Sequence, residues 1–183
     1  MDLLIRDVMF LDGSFGHLGI TGNRIVHIGT EPPDEEADRV IDGTDRLAMP
    51  GLVNAHTHSA MTLFRGYGDD MPLKPWLEER IWPAEANLTG EDVYWGTRLA
   101  CAEMNRTGTT LFNDMYWKVP HGVRAIGEAG LRATVSAGLI SGGFLGDLKG
   151  EAVELIAMYE AGDFPDRVRL ALSPHAPYTV TPE

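Results

Sequence analysis

Two histidines separated by a single residue are the clearest chemical feature of this sequence. His56 and His58 lie within "PGLVNAHTHSAMTLFRG", residues 50–66, between two apolar runs. If this segment is a strand, residues two apart point to the same face, so both imidazoles project together and Thr57 projects away. Paired imidazoles pack poorly in an apolar core but bind zinc or iron well. The pair indicates a metal site, although two strand-end histidines bonded only to nearby loops would give the same pattern.

The sequence after residue 49 alternates between strand-like and helical patterns, which predicts how the pair is held. The strand-like runs are "GLVNAHTH", "TTLFNDM", "LRATVSAGLI" and "RVRLALSPHAPYTV". Helical spacing covers residues 74–106, with a capping pattern at Thr89 and Asp92, and two shorter helices follow. Glycines follow the three helical runs, at Gly108, Gly130 and Gly162. Apolar strands separated by helices favour an α/β fold with a parallel sheet covered on both faces.

A third histidine is predicted at the same edge of this sheet. Functional side chains of such sheets lie at the carboxyl ends of the strands. His56 and His58 end the first strand, and His175 ends the fourth, where Pro174 and Pro177 restrict the loop around it. Asp114 ends the second strand and is a candidate for a supporting role. A strand-end histidine bonded to nearby backbone remains the alternative for His175.

The remaining composition limits the organisation and the partners. Residues 1–48 contain short β-prone runs and turns, too few to form a stable sheet alone, so we predict a small β-subdomain beside residues 49–183. The net charge of -12 disfavours nucleic acid and anionic membranes as partners. The single cysteine, Cys101, excludes an intrachain disulfide and a paired-cysteine zinc motif. Neither a signal peptide nor a membrane span is predicted, so we expect a cytoplasmic location.

Beyond these patterns, "MPGLVNAHTHSAMTLFRG" resembles the first-strand signature of the amidohydrolase superfamily. More narrowly, it is similar to the aminohydrolase branch with S-adenosylhomocysteine/5′-methylthioadenosine deaminases and triazine chlorohydrolases. The segments "DDMPLKPWLEERIWPAEANLTGEDVYWGTRLACAEMNRTGTTLFNDMY" and "LSPHAPYTVTPE" extend the resemblance over the whole chain. It implies the first half of a (β/α)8 barrel of the TIM type beside a small β-sandwich subdomain. It also implies one divalent metal ion, zinc or else iron, and hydrolytic removal of ammonia from an adenosine-like nucleoside.

The resemblance also implies roles for individual residues. His56 and His58 match the two metal ligands of the first strand, and His175 matches a histidine that contacts the substrate. Glu85, in "IWPAEANLT", matches a glutamate that binds ribose hydroxyls; without the resemblance it would be predicted as a solvated residue at a helix start. Trp76 and Trp82 in the same stretch could line a substrate pocket or pack between helices.

The resemblance leaves part of the function open. A further histidine ligand, the catalytic glutamate and an aspartate of the last strand are expected beyond residue 183, so we assign no catalytic residue. Some adenosine-type deaminases have an arginine between the third and fourth strands, and residues 134–164 contain none. A triazine- or guanine-type amino- or chlorohydrolase, acting on a heterocyclic amine, is therefore the alternative. A catalytically inactive fragment is a second alternative, and we expect the 183 residues alone to be inactive and to form a homo-oligomer through uncovered strand edges.

Overall fold

A computed structural model of the chain describes residues 1–141, 148–177 and 179–181. The chain divides into two compact units, Met1–Pro50 and Gly51–Glu183. The first unit is one five-stranded sheet in the order β3-β2-β1-β4, with β5 also paired to β1. Strand β1 is antiparallel to β2 and parallel to β4 and β5. Its strands are β1 (Leu3–Phe10), β2 (Phe15–Thr21), β3 (Arg24–Gly29), β4 (Arg39–Asp42) and β5 (Leu47–Ala48). The predicted sandwich around this sheet stays a prediction.

The second unit alternates strands and helices, as the sequence predicted. Its strands are β6 (Leu52–Thr57), β7 (Thr109–Tyr116), β8 (Arg132–Leu139), β9 (Val168–Leu170) and β10 (Ser173–Pro174). Its helices are α1 (Leu73–Pro75), α2 (Trp82–Glu85), α3 (Gly90–Thr107), α4 (Val119–Ala129) and α5 (Leu148–Ala161). A 3-10 helix, Ser59–Phe64, follows β6, and a π-helical segment, Trp76–Ile81, joins α1 to α2.

The sheet of the second unit is parallel, and its strands follow one another in sequence order. Strand β6 pairs with β7, β7 with β8, and β8 with both β9 and β10. The fourth predicted strand is thus two short pieces that pair with successive parts of β8. Sequential parallel neighbours joined by helices are the arrangement of a barrel, whereas doubly wound sheets reverse their strand order.

The helical stretch predicted over residues 74–106 is interrupted, and this corrects the sequence analysis. Residues 86–89 separate α2 from α3, and Thr89 is extended, with φ -87° and ψ 169°. The Thr89 side chain accepts from the backbone N–H of Asp92, whose carboxylate accepts from the backbone N–H of Thr89 at 2.8 Å. This capping box starts a new helix, because it satisfies N–H groups that have no partner within the helix. Helix α3 ends at Gly108, with φ +84°, as predicted.

The core of the second unit lies between the sheet and its helices. It is a cluster of buried side chains from β7, β8, β9 and the helices α3, α4 and α5. Phe112, Ile126, Leu155 and Val168 are fully buried there. Within the described residues, no helix has the length and apolar character needed to cross a membrane.

Candidate active site

The carboxyl ends of the parallel strands bring three histidines to one cavity. His56, His58 and His175 line a space of about 650 Å³ together with residues from the ends of β7 and β10. The ring centroids of His56 and His58 lie 5.0 Å apart, with the ring planes at 77°. His56 belongs to β6, and His58 is the first residue after that strand. Both imidazoles therefore face the cavity. His175 lines the same cavity and follows β10, at the opposite end of the strand order.

The ring of His58 is oriented by the neighbouring strand. Its Nδ1 lies 2.7 Å from the carbonyl oxygen of Met115. A carbonyl oxygen only accepts, so this hydrogen bond requires the proton on Nδ1 and leaves the Nε2 lone pair available. Metal-binding histidines commonly make such a bond with the nitrogen that does not contact the metal. The geometry of His58 is thus suited to a ligand role.

Behind the histidines, Asp114 binds the residues on either side of His58. Its Oδ1 accepts from the Thr57 hydroxyl at 2.8 Å and from the Ser59 backbone N–H at 2.7 Å. Its Oδ2 accepts from the Ser59 hydroxyl at 2.6 Å. Asp114 is buried, with 6% of its surface exposed. Burial raises the pKa of its carboxyl group, while the hydrogen bonds from Ser59 and Thr57 and the nearby His58 act in the opposite direction.

His175 is held by strand β8 and by its own loop. Its backbone N–H donates to the Leu139 carbonyl at 3.0 Å, and its Nδ1 lies 2.9 Å from the Thr179 hydroxyl. The same hydroxyl lies 3.1 Å from the Ala176 carbonyl, so Nδ1 of His175 is engaged by Thr179 and Nε2 is the ring nitrogen left for another partner. Burial, and then the nearby His58, lowers the pKa of His175, which favours the neutral ring.

A second, smaller cavity of about 190 Å³ begins at His58 and His175 and contains Glu85. Only 2% of Glu85 is exposed, so the alternative of a solvated helix-start residue is wrong. The Tyr116 hydroxyl donates to Glu85 Oε1 at 2.9 Å. Burial raises the pKa of Glu85 to about 7, and the bond from Tyr116 opposes that rise. The other walls are largely apolar and aromatic and include Leu73, Trp76, Leu77, Ile81, Trp82 and Trp117.

Several residues of this site were not found by sequence reasoning. Tyr116 and Trp117 stack with centroids 5.0 Å apart and line the smaller cavity. They directly follow the second strand-like run, so the rule that strand ends carry the site could have identified them. Ser59 contributes its backbone N–H as well as its hydroxyl, and Met115 contributes only its backbone carbonyl. Such contributions leave no signal in residue type.

The described residues supply only part of a metal-binding set. They contain no group of three or more histidine, cysteine, aspartate or glutamate side chains arranged to hold a metal ion. His56 and His58 offer two imidazoles, whereas a zinc site in a protein has three or four protein ligands. The chemistry of the donors fits a divalent transition metal, and further ligands are needed to complete the coordination.

The chain is similar to several known proteins. Residues 47–183 match the amidohydrolase family. The chain is 52% identical over 150 residues to a 5′-deoxyadenosine deaminase of Methanospirillum hungatei, covering 81% of this chain and 33% of that protein. It is 47% identical over 172 residues to a 5-methylthioadenosine/S-adenosylhomocysteine deaminase of Syntrophomonas wolfei, covering 91% and 39% of the two chains.

A solved structure extends the comparison to three dimensions. An adenosine deaminase of Xanthomonas campestris with bound zinc superimposes with a TM-score of 0.86 at 33% identity. The match covers 98% of this chain and 44% of that one. The match with this chain thus covers 33–44% of the length of these three proteins.

Proposed function

The chain belongs to the amidohydrolase family, and we propose that it carries the metal-binding and ribose-binding side of a nucleoside deaminase. The observation that carries the proposal is that the two cavities share part of their lining: His58 and His175 line both of them. A substrate in the smaller cavity, beside Glu85, would present one end to the histidine edge. In this proposal residues 49–183 form the first four β/α units of a (β/α)8 barrel, and residues 1–48 form part of a small β-sandwich.

In the proposed site, His56 and His58 are two of the ligands of one divalent metal ion. Zinc is favoured, with iron as the alternative, because both accept imidazole nitrogen. The zinc bound by the Xanthomonas campestris relative supports this choice. Such an ion supplies a nucleophile at neutral pH by lowering the pKa of water to about 7. The remaining ligands, and the glutamate and aspartate expected to move protons, are assigned to no residue of these 183.

The substrate that we propose is an adenosine-like nucleoside, such as 5′-deoxyadenosine, 5′-methylthioadenosine or S-adenosylhomocysteine. Glu85 would accept hydrogen bonds from the ribose hydroxyls, with its carboxyl group oriented by Tyr116. His175 would contact the substrate through Nε2, since its Nδ1 is used by Thr179. The aromatic walls of the cavity suit the flat faces of a purine. The names of the curated relatives support this class.

A triazine or guanine is the main rival substrate, and it carries no ribose. The deciding experiment uses the complete gene product and measures ammonia released from a panel of nucleosides, adenine, guanine and an aminotriazine. We expect release from the nucleosides. Glu85→Ala should raise their KM by about ten- to over a hundred-fold, because a hydrogen bond to a charged group contributes roughly 1.5–3 kcal/mol.

Two controls make this experiment specific. Activity on adenine should change little in Glu85→Ala, since the free base has no hydroxyls for Glu85 to bind. Glu79→Ala removes an exposed carboxylate from the same segment and should leave every KM unchanged. An equal loss on adenine and on its nucleosides would show that Glu85 does not recognise the ribose. Activity confined to guanine or the triazine would overturn the nucleoside assignment.

The composition supports the remaining proposals about the protein's surroundings. The net charge of -12 favours a small-molecule substrate over nucleic acid or an anionic membrane. The single cysteine, Cys101, fits a reducing compartment and supports the proposal of a cytoplasmic location. The 183 residues alone are expected to lack deaminase activity, because two imidazoles do not complete a zinc site. Ammonia release by this chain alone would contradict that expectation.

A further inference from the structure

The placement of Asp114 is unusual for a strand in the core of a sheet. Alternate residues of β7 are buried on one side, and Asp114 stands in that row between Phe112 and Tyr116. Asn113 and Met115, on the opposite side of the strand, line the histidine cavity. A carboxylate among buried residues is costly unless its oxygens accept hydrogen bonds. Its position therefore calls for an explanation in terms of what it binds.

The hydrogen bonds of Asp114 go to the two residues that flank His58. Thr57, which precedes His58, donates through its hydroxyl. Ser59, which follows His58, donates through its backbone N–H and its hydroxyl. Ser59 begins the 3-10 helix, and its N–H is among the first, which have no partner within the helix. The carboxylate thus spans the point where the strand ends and the helix begins. His58 occupies this point, with φ -127° and ψ 75°.

The next residue of β7 completes the arrangement. The carbonyl of Met115 accepts from Nδ1 of His58 at 2.7 Å, so two consecutive residues fix the backbone and the ring of one histidine. We infer that Asp114 is a positioning residue for the metal site, holding His58 from the face of the sheet opposite to the cavity. This inference rests on the proposed metal site. It assigns Asp114 no contact with metal or substrate.

A purely structural role is the competing explanation, since Asp114 also satisfies a helix N–H in the interior. The two roles differ in what a substitution changes. Loss of a structural contact lowers the free energy of unfolding and leaves the affinity of the folded protein for zinc unchanged. Loss of a positioning contact weakens zinc binding in protein that is still folded. Partners of this kind behind a ligand typically affect metal affinity by about 10–100-fold.

The test measures zinc affinity by chelator competition on the complete gene product, together with its thermal unfolding. Asp114→Asn should weaken zinc binding by about 10–100-fold. Thr57→Val removes the hydroxyl that donates to Asp114 Oδ1 or to the Asn113 carbonyl and keeps the side-chain shape, so it should weaken zinc binding by a smaller factor. Thr57→Ser retains the hydroxyl and should bind as the wild type does. The Thr57 pair keeps the inference testable if Asp114→Asn does not fold.

A matched control separates stability from positioning. Thr97 contacts the Ser59 hydroxyl from α3, with the two oxygens 3.2 Å apart, and is buried in the same cluster. Thr97→Val should lower the unfolding temperature and leave zinc affinity within about twofold, since neither Asp114 nor His58 loses a partner. In the metal-free protein, ¹⁵N spectra should show the His58 proton on Nδ1 in the wild type and a mixture of tautomers in Asp114→Asn.

The outcomes distinguish this inference from the proposed function. Unchanged zinc affinity in both Asp114→Asn and Thr57→Val would overturn the positioning role. A wild-type protein that binds zinc and deaminates no nucleoside would overturn the substrate assignment alone. A wild-type protein that binds no divalent ion would overturn the metal site, and this inference with it.

Discussion

Strands β6 and β8 belong to the same sheet and have similarly apolar sequences, yet their environments differ. Five of the eight residues of β8 are buried, whereas five of the six residues of β6 are exposed and the sixth is half-buried. Val135 in β8 is 1% exposed, and Val53 in β6 is 62% exposed. Strand β8 pairs on both edges and lies beneath helices, while β6 stands at the end of the strand order.

The difference shows that an apolar pattern predicts a strand, whereas the neighbours of that strand decide how far it is buried. Both sequences are typical of strands covered on two faces. An exposed apolar strand at a sheet edge is a site for pairing with further polypeptide. Because the chain spans only a third to less than half of its relatives, the exposure of β6 is consistent with a surface that other residues cover. Substitutions matched between the two strands can test this.

The largest effect is expected from placing a charge in each strand. Val135→Asp puts an unpaired carboxylate in the core and should lower the free energy of unfolding of the 183-residue chain by about 4 kcal/mol or more. Val53→Asp should change it by no more than about 0.5 kcal/mol. Urea unfolding of both variants, at a chain concentration low enough for the monomer to predominate, measures the contrast. Equal destabilisation would mean that β6 is covered in solution.

A second test concerns pH and uses Glu85. Its pKa in the folded chain is raised from 4.5 to about 7, so the contribution of this group to stability is fully present below about pH 4.5 and is lost as the pH rises through 7. The loss is at most about 3 kcal/mol. Glu85→Gln should flatten the decrease in unfolding free energy over that range. An unchanged pH profile would show that Glu85 titrates normally.

A carboxylate close to the surface gives the contrasting control. Asp92 caps α3 at the surface, and hydrogen bonds from the Thr89 side chain and backbone lower its pKa. Its contribution is therefore present above about pH 3.8, the ordinary pKa, and is lost as the pH falls further. Asp92→Asn should remove the decrease in unfolding free energy at acidic pH and leave its pH dependence between pH 4.5 and 7 unaltered. The two variants should thus act in opposite directions along the pH axis.

The contrast between a local pattern and its distant neighbours explains what the sequence could and could not predict. The alternation of strands and helices was predictable because it depends on local periodicity, and the caps at Thr89 and Gly108 depend on local chemistry. The burial of Glu85 was not, because it also depends on Tyr116, Trp117 and His175, which come from distant parts of the chain. The bonds from Asp114 to Thr57 and Ser59 likewise join residues more than fifty positions apart. Without the neighbouring strand in view, Asp114 was only a candidate.

A smaller effect is expected on self-association. Leu52 and Val53 are exposed along β6, and an uncovered edge of this kind pairs readily with another chain. We expect the 183-residue chain to form an oligomer, and Val53→Lys to weaken association about tenfold, or roughly 1.4 kcal/mol. Light scattering over a range of concentrations measures both. A folded monomer at every concentration, with no second polypeptide present, would contradict the expected oligomer.

The smallest effect compares two tyrosine–glutamate pairs, one buried and one near the surface. Tyr116 donates to Glu85 inside the cavity, whereas Tyr94 donates to Glu128, whose side chain is 47% exposed. Tyr116→Phe should lower the free energy of unfolding at pH 8 by about 1 kcal/mol, because the buried carboxylate loses a donor that water cannot replace. It should also raise the pKa of Glu85 further, since the lost bond holds that pKa down. Tyr94→Phe should cost less, because water can solvate Glu128. The comparison requires unfolding curves at pH 5 and pH 8. For Tyr116→Phe the loss of unfolding free energy should be smaller at pH 5, where Glu85 is protonated. An equal loss at both pH values would show that the hydroxyl does not act through the charge of Glu85.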